Sequence, residues 1–253
     1  MAMTRLRRLG ALLAVAALLP WPLLLTHGNW WAFILVAGTL VVVLRLVIGQ
    51  QWTKYAGLAL SRKQAVLAAI VFAMVAIGSR LLLPLVYEAA ALKVKAPAIE
   101  DQMGFMFQAF NEEILFRALM IGFILQYVRS TYLISLGLAL IFAAAHFLLY
   151  RFGTLQMALS MPALATLFLA GVAMNYLYLA FRHIGFSWAL HAGWNMVWLP
   201  ATFYDATTNG RLREPEIFDR VLGTPAIVAA AAATALLSFA LLRRRSVKVA
   251  TSP

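Results

Sequence analysis

Apolar runs close to twenty residues long recur along this chain, and few structures can accommodate them. In hydrocarbon every backbone N–H and C=O needs an internal partner, so a spanning segment is either a helix or part of a closed barrel. These runs have no period-two alternation, and each is near the length a membrane helix requires. Of the 253 residues, 64% are hydrophobic and 12% charged, with a mean hydropathy of +0.86. Soluble domains are roughly half apolar and a quarter charged. The expectation is an all-α membrane protein, a polytopic bundle of about eight transmembrane helices in a single integral-membrane domain spanning residues 1–253.

The runs read as spans at 9–26, 30–49, 64–87, 104–127, 131–150, 155–180, 185–204 and 224–242. Arg5, Arg7 and Arg8 before the first run resemble a signal peptide, but no small-x-small cleavage site follows, so an uncleaved helix is expected. Arg45 and Arg80 fall near span ends, where a long basic side chain snorkels to the headgroups; pairing with a buried carboxylate is the alternative for Arg80. Residues 88–103 and 205–222 read as polar loops, and Pro162 as a kink in the sixth span.

Charge sets an orientation. With eight spans, one side carries Arg5, Arg7, Arg8, Lys54, Arg62, Lys63, Arg129, Arg182, Arg243, Arg244, Arg245 and Lys248. The other carries Lys93, Lys95, Arg151, Arg211, Arg213 and Arg220. The positive-inside rule places both termini in the cytoplasm of a multi-pass cell-membrane protein. The net charge of +12 is scattered between spans rather than gathered on one soluble face, which argues against a nucleic-acid partner. The absence of cysteine excludes disulfides, thiol catalysis and Cys-ligated metals.

One run carries charge inside it. Between Gly104 and Tyr127 lie Glu112, Glu113 and Arg117. Three ionisable residues near a helix centre cost about 8–10 kcal/mol, whereas the eleven Leu, Ile and Phe residues of the run return about 3–7. Such charges face a protein interior or a wet cavity and mark function. Glu113 and Arg117 stand at i, i+4 with the acid first, the favoured order for an ion pair. Glu112 lies about 140° round an α-helix from Arg117, free to point elsewhere. Glu113 therefore reads as structural and Glu112 as chemical.

Two later spans add polar groups on single faces: His146 one turn after Phe142, and Asn195 one turn after His191. A carboxylate and an imidazole can hold and deprotonate a water, while a second imidazole with a carboxamide can donate to a developing oxyanion. Intramembrane hydrolysis is the chemistry this suggests. Other intramembrane hydrolases fail on inventory. There is no His-Glu-x-x-His pentapeptide, Asp101, Asp205 and Asp219 all fall in loops, and Gly185-Phe-Ser187-Trp188 lacks the glycine of a Gly-x-Ser-Gly nucleophile.

The ordered set Glu112-Glu113-x-x-x-Arg117, Phe142-x-x-x-His146 and His191-x-x-x-Asn195 resembles the three motifs of the CPBP family, which comprises type II CAAX prenyl endopeptidases and bacteriocin-processing or immunity (Abi) proteins. The resemblance spans about residues 104–204, the catalytic-motif core. It implies an eight-helix membrane fold and a glutamate-type intramembrane endopeptidase without a cofactor, acting on a membrane-associated protein or peptide. By that analogy Glu112 and His146 activate water, and His191 and Asn195 form the oxyanion site. The alternatives are a zinc enzyme with Zn2+ on His146, His191 and a glutamate, or a non-proteolytic scaffold or immunity protein. A proton-coupled transporter using Glu112 is expected to show repeat symmetry, and none is found.

Overall fold

A computed structural model describes residues 30–48, 52–55, 57–58, 61–95, 99–125, 128–152, 157–198, 202–208, 211–212 and 214–250. The expected first span, 9–26, lies outside the described residues. The chain runs through α1 (Trp30–Ile48), the single turn α2 (Trp52–Tyr55), α3 (Arg62–Ala89), β1 (Leu92–Lys95) and α4 (Ile99–Glu113). A π-helix, Ile114–Ile121, continues α4 and closes in the short α5 (Gly122–Ile124). There follow α6 (Thr131–Phe152), α7 (Met161–Phe181), α8 (Ile184–Trp198), β2 (Thr202–Asp205), α9 (Glu214–Leu222) and α10 (Pro225–Ala250).

Among the described residues four helices are long and apolar enough to cross a membrane: α3, α6, α7 and the Pro225–Arg244 part of α10. Their outer faces carry bare aliphatic side chains, such as Leu81 at 73% exposure and Leu236 at 69%. Apolar surface on that scale needs a covering medium, and for helices of this length the medium is lipid. Arg45 and Arg80 are both exposed, which favours snorkelling over a buried pair.

Several boundaries depart from the expected spans. The sixth helix starts at Met161, not near 155, and Pro162 sits in its first turn rather than at a kink. There the missing N–H costs nothing, because the first four donors of a helix have no internal partner. Ser160 caps the turn, its hydroxyl accepting from Ala163 N at 3.4 Å. The seventh helix stops at Trp198 rather than Tyr204; Pro200 disfavours helix in the residue before it. Thr202–Asp205 instead forms β2, antiparallel to β1, with Leu92 opposite Asp205 and Lys95 opposite Thr202. Both supposed polar loops thus hold structure, and the all-α class acquires a two-stranded sheet.

This sheet ties one end of the bundle together. Arg220 Nη1 donates to Asp205 Oδ2 at 2.8 Å, fastening α9 to β2. Ser160 N donates to Asp219 Oδ1 at 2.6 Å, and Thr166 Oγ1 donates to the Leu222 carbonyl at 2.8 Å, fastening α9 across the start of α7. Two glycines let helices close up beneath it. A Cβ on Gly171 would meet Ala139 at 3.2 Å, so α7 lies tight on α6. One on Gly193 would meet the Phe72 carbonyl at 3.0 Å, so α8 lies tight on α3. At the opposite end Ile184 N donates to the Gly57 carbonyl at 3.2 Å.

Candidate active site

Glu113 and Arg117 are fully buried, with Arg117 Nη1 and Glu113 Oε1 at 3.0 Å. The pairing expected from i, i+4 spacing is present, from Glu113 at the end of α4 to Arg117 on the π-helix that continues it. Gly122 N, capping that segment, bonds the Arg117 carbonyl five residues back. Such wide turns are rare and gather at functional sites. Arg117 has partners beyond Glu113. Its Nε donates to Asn175 Oδ1 at 3.1 Å, and Asn175 Nδ2 donates to the Ser135 carbonyl at 2.8 Å. The guanidinium also lies 5.2 Å from the Phe142 ring centroid and 5.7 Å from that of Phe116, close enough for attraction by the ring quadrupoles.

Phe142 explains why an aromatic stands one turn before His146. Its ring packs edge-on to Phe116 at 5.2 Å, tilted on His146 at 4.5 Å, and edge-on to His191 at 6.2 Å. It thereby spaces the imidazoles and the guanidinium apart. His146 Nδ1 donates to the Phe142 carbonyl at 2.9 Å, since a carbonyl can only accept. In neutral His146 the lone pair is therefore on Nε2.

His191 reaches both glutamates. Its Nδ1 is 3.0 Å from Glu113 Oε1, and its Nε2 is 3.9 Å from Glu112 Oε2. The sequence assigned Glu113 to Arg117 alone; the fold makes one carboxylate oxygen serve an arginine and a histidine together. Glu112 is held more loosely. Gln108 Nε2 donates to its Oε1 at 3.3 Å, while Oε2 is buried with no hydrogen-bond partner among the described residues.

Glu112, His146, His191 and Asn195 line one cavity of about 120 Å³. Most of the remaining lining is apolar, including Phe105, Met174, Trp194 and Phe218. Phe218, on α9, stacks on Tyr150 at 4.9 Å and lies parallel to the His146 ring at 6.2 Å. An apolar cavity with a few convergent polar groups is the usual form of a small-molecule or peptide site.

All six residues picked from sequence meet here: Glu113 and Arg117 behind the cavity, the other four at its wall. Sequence reasoning missed Gln108, Asn175, Ser135 and Phe218. Asn175 had a readable signal, a carboxamide in the middle of an apolar span. Gln108 had a weaker one, its place four residues before Glu112. For the zinc alternative, no group of three His, Asp or Glu side chains among the described residues is placed to hold a metal, although His191, with Nδ1 on Glu113, keeps Nε2 for a ligand.

Residues 102–197 match the family model of type II CAAX prenyl endopeptidase Rce1-like proteins. The matched residues run from α4 through α8 and include Glu112, His146, His191 and Asn195 of the cavity wall. No curated protein and no solved structure matches the chain. The similarity is thus to a family of membrane proteases, and the exposed apolar helices fit a membrane protein.

Proposed function

We propose that this protein is a glutamate-type intramembrane endopeptidase that cuts a membrane-associated protein or peptide with water activated by Glu112 and His146. The observation that carries the reading is the buried Glu112 Oε2, unbonded among the described residues, on a side chain that lines a cavity with two imidazoles and a carboxamide. Leaving a carboxylate oxygen without a hydrogen bond in such a place is costly, and it makes sense as a place for a reactant.

In this mechanism a water donates one hydrogen bond to Glu112 Oε2 and the other to the Nε2 lone pair of His146. The 3.9 Å gap between Glu112 and His191 suits a bridging water. Attack on the peptide carbonyl passes the water's proton to Glu112 as the C–O bond forms. Asn195 Nδ2 donates to the resulting oxyanion. His191, when protonated on both nitrogens, donates from Nδ1 to Glu113 and from Nε2 into the cavity. Glu112 then returns its proton to the departing amine as the C–N bond breaks. Glu113, Arg117 and Asn175 hold His191 in place throughout.

No metal enters this scheme. The test is quantitative proteomics of membranes carrying the wild type or Glu112→Gln at equal abundance. At least one membrane-associated polypeptide should accumulate uncut with the variant. Identical peptide patterns from the two membranes would remove the proteolytic reading and leave the scaffold or immunity role.

A further inference from the structure

The contacts that tie the bundle together also reveal where the cavity lies along the membrane normal. One end of the molecule gathers the C-terminal ends of α3 and α8, joined through β1 and β2. Asp205–Arg220 brings α9 there, Ser160–Asp219 the start of α7, and the Met157 N to Tyr150 carbonyl bond of 2.8 Å the end of α6. The start of α10 follows α9 directly. The shallow wall of the cavity lies at this end, while Glu112 and Met174, thirteen residues from the starts of α4 and α7, lie about 20 Å in. Asn195 is three residues from the end of α8, His146 six from the end of α6, Thr166 five from the start of α7, and Ala231 six from the start of α10. At 1.5 Å per residue those depths are about 5–9 Å. Phe218 and Leu222, from α9 itself, complete the wall.

The two ends differ in charge. Among the described residues the cavity end carries Arg80, Lys93, Lys95, Arg151, Arg211 and Arg220, together with Glu88, Glu100, Asp101, Asp205, Glu214, Glu216 and Asp219. The other end carries Arg45, Lys54, Arg62, Lys63, Arg129, Arg182, Arg243, Arg244, Arg245 and Lys248, and no acid. Ten basic residues against six orient the bundle without reference to the first span.

We infer that the cavity faces the non-cytoplasmic side, and that the substrate is a membrane-anchored polypeptide whose scissile segment is presented from outside the cytoplasm. The orientation stands on helix order and charge; the substrate class rests also on the proteolytic reading above. A tail held in the cytosol meets the wrong end of the bundle.

The chain lacks cysteine, so single-cysteine variants report without background. Thr208→Cys stands in the exposed turn after β2, Lys63→Cys in the exposed first turn of α3, and Phe105→Cys and Thr234→Cys in the cavity wall. Each is expressed and treated with a membrane-impermeant maleimide in sealed right-side-out vesicles, before and after permeabilisation. Thr208→Cys should label at once, at least one cavity cysteine should label more slowly from the same side, and Lys63→Cys should label only after permeabilisation. Labelling of Lys63→Cys in sealed vesicles with Thr208→Cys protected would overturn the inference. So would cavity cysteines that react only from the cytoplasmic side. The polypeptide that accumulates with Glu112→Gln adds a second reading: its cut site should lie outside the cytoplasm, and a cytoplasmic site contradicts the inference. If no polypeptide accumulates, proteolysis fails while the labelling result still decides the orientation.

Discussion

At the scale of single residues the two adjacent glutamates sit in different surroundings. Glu113 compensates Arg117, which is fully buried and cannot shed its charge. Glu113→Gln leaves that guanidinium with only Asn175 and two aromatic faces. Removing one partner of a buried pair costs about 3–5 kcal/mol, so denaturant titration in detergent should show a loss of that order. Glu112→Gln keeps an acceptor for Gln108 and leaves Arg117 its bonded partners Glu113 and Asn175, so its stability should stay within about 1 kcal/mol of wild type. A larger loss from Glu112→Gln than from Glu113→Gln would exchange the two roles.

At the scale of elements the site depends on pieces outside the spans. α9 supplies Phe218 to the cavity wall, and the Asp205 carboxylate fastens α9 to β2. Asp205 also accepts from the Thr207 hydroxyl and from the backbone N–H groups of Thr207 and Thr208. The Thr207 hydroxyl, then Arg220 and the two N–H groups, hold its pKa well below the usual carboxylate range. A depressed folded-state pKa stabilises above the unfolded value and loses that contribution as pH falls through the folded one. Asp205→Asn should therefore lower Tm at neutral pH, with a gap constant down to about pH 5 that narrows below about pH 4. Melting curves from pH 3 to 8 test this. A gap equally wide at every pH would mean that Asp205 acts through packing rather than charge.

For the whole molecule the choice between bare-water and zinc chemistry is a statement about composition. Catalytic zinc takes three protein ligands and a water, and among the described residues no three His, Asp or Glu side chains are placed to hold one. Elemental mass spectrometry of protein purified in detergent should find well under one zinc per chain, and cleavage of the substrate identified with Glu112→Gln should survive strong chelation. One zinc per chain, with activity lost to chelator and restored by zinc, would replace the glutamate mechanism.

The sequence alone determined the membrane class, the helical character and the six residues that the fold brings together in the candidate site. Each follows from a local rule: twenty apolar residues need a helix, three charges within one need company, and i, i+4 spacing shares a face. It also carried the Glu113–Arg117 pair. Tertiary structure decided the rest, because the deciding contacts are remote in sequence. His191 meets Glu113 across 78 residues, and Asn175 meets Arg117 across 58. Pairing of β1 with β2 turned the supposed end of the seventh span into a strand, since four residues of Thr-Phe-Tyr-Asp have no local preference strong enough to announce it. Asp219 bonds Ser160 across 59 residues, which turned a polar loop into the helix that walls the cavity. Periodicity reports which face of a helix is apolar; only packing decides what that face meets.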